Sequence, residues 1–260
     1  MKILANVAHP QQMDIISVLK YMEIDVEVGN NKVSLYTLLE KIKPDYLFLD
    51  DKTIIEKQSL LQKYSIPTIS YGGVPDEIVK VTNVKCVLAD NITTSVPTIS
   101  IVNCANVINY PKMAAEYRLE SDIFFALQGP LYKQIVEHML VTTSHRIKCF
   151  TGNGPLSSAS IGRLDVPQLM ALCSSAKVVL CEDAGLASVL ILQNIAAMEV
   201  RIADWSKIDE MIKNEKLRRK YIADSKSNIR TVFDVAAEIF SAIGLKEKME
   251  ASLQQIRKFI

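Results

Sequence analysis

The chain has no cysteine pair at CxxC spacing, no two histidines at the helical spacing of a zinc protease, and no apolar run near the about eighteen residues a membrane span needs. Its five cysteines, Cys86, Cys104, Cys149, Cys173 and Cys181, are odd in number and cannot all pair within the chain, so they read as reduced and mostly buried thiols. Three histidines, His9, His138 and His145, are too few and too scattered for a catalytic transition-metal site. The opening MKILANVAHP lacks the basic start and longer apolar stretch of a signal peptide, and a soluble cytoplasmic chain is expected. Neither GxGxxG after the first strand nor GxxxxGK[ST] occurs, which argues against a standard dinucleotide fingerprint and against a P-loop. Charge of one sign is also missing. Thirty basic residues face 29 acidic ones for a net charge of +1, so any polyanion has to be met by a local patch.

What is present excludes disorder: 260 residues, 49% of them hydrophobic, enough for one large α/β domain or two small ones. Short β-branched apolar runs alternate with segments of helical period, the pattern of parallel strands joined by crossover helices. Strands are predicted at 2–8, 25–28, 45–50, 67–71, 84–89 and 98–103, with helices over 12–22 and 34–43. Pro44 stops the second helix. The pattern restarts with strands at 122–127, 146–151, 176–182 and 198–203, and helices at 131–141, 165–175 and 188–197. These readings give an α/β chain of two Rossmann-like domains facing a cleft: 1–104, a linker at 105–120, a second domain at 121–243, and a last helix at 244–260 that packs back on the first domain. The charged run KNEKLRRK (213–220) reads as an exposed helix face, with a nucleic-acid contact through Lys216, Arg218, Arg219 and Lys220 as the other reading.

Ligands of open parallel sheets bind beyond the carboxyl ends of the strands. In the second domain those ends lead into loops of small residues that open helices, a setting that favours an anionic, phosphorylated ligand. Gly129, Gly152 and Gly154 permit close backbone approach, Lys133 and Arg163 supply cations, and Gly185 and Ser188 open the third helix. Glu182 and Asp183 place two adjacent carboxylates at the same edge, where one serves equally as a helix cap.

The order of these pieces carries a resemblance. The runs SDIFFALQGPLYKQIVEHML, RIKCFTGNGP, IGRLDVPQLMALCSSAKVVLCED, LASVLILQNIAAMEV and DEMIKNEKLRRKYIADSKSNI are collinear with the nucleotide-sugar half of GT-B glycosyltransferases. The groups they resemble include the spore-maturation CgeB-like proteins and the phage DNA beta-glucosyltransferases. The resemblance covers a little under half the chain. It implies a nucleotide-diphosphate sugar as donor, with UDP-sugar favoured, and a transfer step that needs no bound metal or other cofactor. Where the family carries a ribose-binding glutamate and, one turn earlier, an arginine, this sequence has Gln193 and Leu190.

Such a transferase would take its acceptor from the first domain. An inverting reaction needs a base there, for which Asp76 after SYGGVP ranks first, Asp50 or Asp51 after YLFL second, and His9 third. Each has an ordinary alternative: a helix cap before EIVKV, a turn cap before KTIIEK, and a loop histidine. A hydroxymethylated pyrimidine of DNA and a small metabolite or glycan are both compatible acceptors. The competing class is a two-domain protein that binds a nucleotide or nucleotide sugar without turning it over.

Overall fold

The computed structural model describes residues 1–6, 10–29, 32–101, 104–110, 112–113, 121–127, 131–151, 164–182 and 184–259. In chain order the first elements are β1 (Lys2–Ala5), α1 (Pro10–Tyr21), β2 (Asp25–Val28), α2 (Leu35–Ile42), β3 (Tyr46–Asp50), α3 (Asp51–Glu56), α4 (Gln58–Tyr64), β4 (Thr68–Tyr71), α5 (Asp76–Val81), β5 (Val84–Leu88) and β6 (Thr98–Ile99). They form a parallel sheet in the order β2-β1-β3-β4-β5-β6. The central strands are apolar because helices cover both faces of such a sheet. Leu47, Phe48 and Leu49 are all fully buried. Ser34 caps the start of α2 by accepting from the Thr37 N–H, and Lys43 ends it in the left-handed region at φ 49, just before Pro44.

β7 (Cys104–Ala105) precedes the second set: β8 (Ser121–Leu127), α6 (Leu131–Thr142), β9 (Ile147–Thr151), α7 (Val166–Ser175), β10 (Ala176–Cys181), α8 (Ala184–Leu192) and β11 (Ala197–Glu199). A single 3-10 turn at Val200–Ile202 leads to α9 (Trp205–Lys213) and α10 (Glu215–Lys226). The second sheet is parallel, in the order β11-β10-β8-β9. At its amino edge the buried carboxylate of Asp122 accepts from Lys177 Nζ at 2.8 Å and from the Arg146 N–H at 2.9 Å, which ties β8 to both neighbouring strands. β12 (Arg230–Thr231), α11 (Val232–Ala242) and α12 (Lys246–Phe259) complete the chain.

Two compact units result. One combines Met1–Val102 with Thr231–Lys258, and the other is built from Asn103–Arg230. The last helix belongs to the first unit as expected: Lys248 Nζ donates to the Met22 carbonyl at 3.0 Å and Ser252 Oγ to that of Phe233 at 2.8 Å. The expected boundary at 243 is corrected, because α11 belongs there too, with Phe233 and Phe240 fully buried against α1 and the far strands.

Several element limits also differ from the sequence reading. Of the strand expected at 98–103, Thr98–Ile99 form β6, Ser100 Oγ and the Ile101 N–H instead bond Asp90 Oδ1, and residues 102–103 lie outside the described residues. The helix expected at 188–197 starts at Ala184 and ends at Leu192. Asn194 at φ 68 closes it, with the Ile195 N–H bonded back to the Leu190 carbonyl at 2.9 Å.

Candidate functional site

In each sheet one point of strand order reverses the direction of the crossovers, and a crevice forms there beyond the strand ends. It lies between β1 and β3 in the first unit and between β8 and β10 in the second.

In the first unit Asn6 follows β1 and Asp50 ends β3. Asp50 is 7% exposed. Its Oδ1 accepts from the Thr53 N–H at 2.9 Å, and its Oδ2 accepts from Thr53 Oγ1 at 2.8 Å and from the Asn6 amide. Asn6 Oδ1 in turn accepts from the Asp50 N–H at 3.0 Å. Burial pushes the Asp50 carboxyl up, but the Thr53 and Asn6 donors outweigh it and hold it below the ordinary carboxylate range. Asp50 is therefore the N-cap of α3, with three donors on the about four lone-pair sites of its carboxylate, and its assignment as a base is corrected.

Its neighbour Asp51 points elsewhere. The Asp51 carboxylate, half-buried, lies against Gly72, where a Cβ would meet its Cγ and Oδ2 at 2.7 Å. Gly72 also sits at φ +98, so two independent constraints require glycine. Gly72→Ala is expected to destabilise the first unit by about 1–3 kcal/mol. Denaturant unfolding followed by far-UV circular dichroism checks this, and wild-type stability would contradict the close approach.

Asp76, the leading base candidate, is the first residue of α5 and is exposed, with Oδ1 accepting from the Ser95 N–H at 2.8 Å. That bond and the Ser95 hydroxyl hold its carboxyl below the usual range, which makes it a weaker base. Asp76 also follows β4, one strand beyond the crevice. His9 lies outside the described residues. Sequence reasoning missed Asn6, Gln11 and Tyr71. Tyr71 Oη donates to Gln11 Oε1 at 2.7 Å, joining the end of β4 to the first turn of α1. The signal for Asn6 was a lone amide interrupting the apolar run KILANVA.

In the second unit Glu182 follows β10 and Gly185 is the second residue of α8, both at the carboxyl edge. Lys133 falls in the first turn of α6. Neither α6 nor α8 has an acidic residue in its first turn, whereas the start of α7 is closed by a capping box between Asp165 and Gln168. Gly129, Gly152, Gly154 and Arg163 lie outside the described residues.

Two donor assignments change. Ser188 is buried in the second turn of α8, a helix buried all round from Leu186 to Leu192, instead of standing at its mouth. Gln193 is placed after α8, eight residues or about 12 Å beyond Gly185 and at the amino end of the sheet. Its Nε2 donates to the Tyr110 carbonyl at 2.8 Å, while its Oε1 is buried with no partner among the described residues. Gln193 and Glu182 are thus not brought together.

No family model matches the sequence, and no curated protein matches it. Solved structures do. Acinetobacter baumannii MurG aligns over 94% of this chain and 99% of its own at 8% identity, with a TM-score of 0.55. The calicheamicin glycosyltransferase CalG4 aligns over 94% and 98% at 9% identity with a TM-score of 0.53. The spinosyn rhamnosyltransferase SpnG aligns over 100% and 99% at 11% identity with a TM-score of 0.51. At such identities the likeness is one of fold, and the fold is that of the GT-B glycosyltransferases, α/β with two Rossmann-like domains.

Proposed function

We propose that this chain is a glycosyltransferase of the CgeB-like or phage DNA beta-glucosyltransferase kind, moving a sugar from a UDP-sugar to an acceptor hydroxyl. One observation supports this most: in a GT-B fold, only Gln128, Gly129 and Pro130 separate the crevice strand β8 from α6, whose first turn carries Lys133 and no carboxylate. Such a helix start favours a diphosphate.

The acceptor oxygen attacks the anomeric carbon as the bond from that carbon to the diphosphate oxygen breaks. The bonding electrons leave with the nucleoside diphosphate. The first N–H groups of α8, with Lys133 and Arg163, stabilise the charge that develops there more than they stabilise the ground state. These cations take the part that a metal ion plays elsewhere. Asp51 receives the acceptor proton, since Asp50 caps α3 and Asp76 follows β4, one strand beyond the crevice. The acceptor hydroxyl belongs to a hydroxymethylated pyrimidine of DNA or to a small metabolite or glycan.

The uncharged body of α8 favours a second reading, a protein that binds the nucleotide sugar and does not consume it. Incubation with UDP-, GDP- and TDP-sugars in the presence of acceptor extracts separates the two. Release of free UDP is expected. Tight binding of one nucleotide sugar with none consumed would leave only the binding protein.

A further inference from the structure

Charge in this molecule is unevenly placed. Residues 213–220 hold five cations, Lys213, Lys216, Arg218, Arg219 and Lys220, and one carboxylate, Glu215, within a chain whose net charge is only +1. The rest of the protein is therefore net acidic.

The structure puts this run at the corner where α9 ends and α10 begins. Asn214 makes the corner, its side chain accepting from the Leu217 N–H at 3.2 Å. A hollow of about 590 Å³ opens there, lined by Lys213, Asn214, Glu215, Lys216 and Arg219. Lys216 and Lys220 stand one turn apart on α10, are exposed, and make no ion pair among the described residues. Arg219 pairs with Glu215 at 2.5 Å and Lys213 with Asp209 at 2.6 Å, but those two cations are 78% and 67% exposed. Exposed pairs of this kind contribute little and exchange readily for another anion. Arg218 differs: its Nη1 donates to the Met211 carbonyl at 2.8 Å and holds the corner together.

We infer that the α9–α10 corner docks the phosphate backbone of a nucleic acid. The lining selects among polyanions. No apolar side chain lines the hollow, so it lacks the hydrophobic centre of a protein interface and the apolar insertion that anchors a helix in a bilayer. Backbone phosphates need only cations. Arg218, one of the four contacts read from the sequence, is a structural residue, and Lys213 takes its place.

The docking does not depend on the transferase reading, and its test is kept separate from donor turnover. The full chain is titrated with a fluorescent double-stranded oligonucleotide over a range of salt concentrations, beside Lys216→Ala/Lys220→Ala. The double variant keeps the fold, since neither side chain is buried. It should bind at least about tenfold more weakly at low salt, with a slope of log affinity against log salt that is smaller by about two. Release of nucleotide from a UDP-sugar with a small acceptor should be the same in both proteins. Unchanged affinity in the double variant, or salt-insensitive binding, would overturn the assignment. So would tighter binding to phosphatidylserine vesicles than to the oligonucleotide, lost in the same variant.

Discussion

Asp51→Asn is expected to lower kcat by about 10²- to 10⁴-fold at saturating UDP-sugar, with the affinity for donor unchanged. The loss is confined to kcat because the side chain belongs to the acceptor-side unit and acts only when the acceptor hydroxyl gives up its proton. Two neighbouring variants give the contrast. Asp76→Asn should leave kcat near wild type, as it follows β4, one strand beyond the crevice. Asp50→Asn should act on stability, because it removes the charged cap of α3 and sets one amide against the amide of Asn6. Steady-state kinetics of the three proteins, with denaturant melts, distinguish a base from a cap. Wild-type kcat in Asp51→Asn would mean that no carboxylate at this strand end takes the proton.

Asp122→Asn should destabilise the second unit by about 2 kcal/mol at neutral pH and remove the share of its acid sensitivity between about pH 4 and pH 2 that this carboxylate supplies. Asp122 is 8% exposed, and burial alone would raise its carboxyl; Lys177 and Arg146 instead hold it at about 2, against an ordinary 3.8. The folded value is depressed, so the stabilisation is complete above the unfolded value and is lost as pH falls through the folded one. It amounts to at most about 2.5 kcal/mol, since both cations keep roughly half of their side-chain surface in water. The measurement has a convenient probe. Trp205 is the sole tryptophan and lies in α9, so its emission reports this unit without the other. A variant whose emission follows the same acid profile as wild type would show that the cluster contributes nothing.

The strands were legible wherever burial on both faces wrote a short apolar run, as in Tyr46–Asp50 and Ala176–Cys181. α2 was legible because its apolar residues repeat at helical spacing and a proline follows. α8 was not: it is buried all round, so it shows no period, and its start was misplaced by four residues. The expected end at 197 placed Gln193 within the helix, and the resemblance set it against a ribose, whereas the true end at Leu192 leaves it at the other side of the sheet. Asp50 and Asp51 show a different limit. They are adjacent in the chain, but one side chain turns back to cap α3 and the other lies against Gly72, a difference set by register and by the partner strand β4. The place of α11 was also unreadable, because an amphipathic helix does not say which of two sheets it covers.

That split assembly has a bearing on biosynthesis. Apart from the last two residues of the chain, the second unit is made by residue 230, while the first still lacks α11 and α12. Until Phe233 and Phe240 emerge, α1 and the far strands of the earlier sheet present an uncovered apolar face. The half of the protein that begins first therefore matures last, and its exposed interval lasts for the whole synthesis of the other half, which makes it the part most open to aggregation and to chaperone capture.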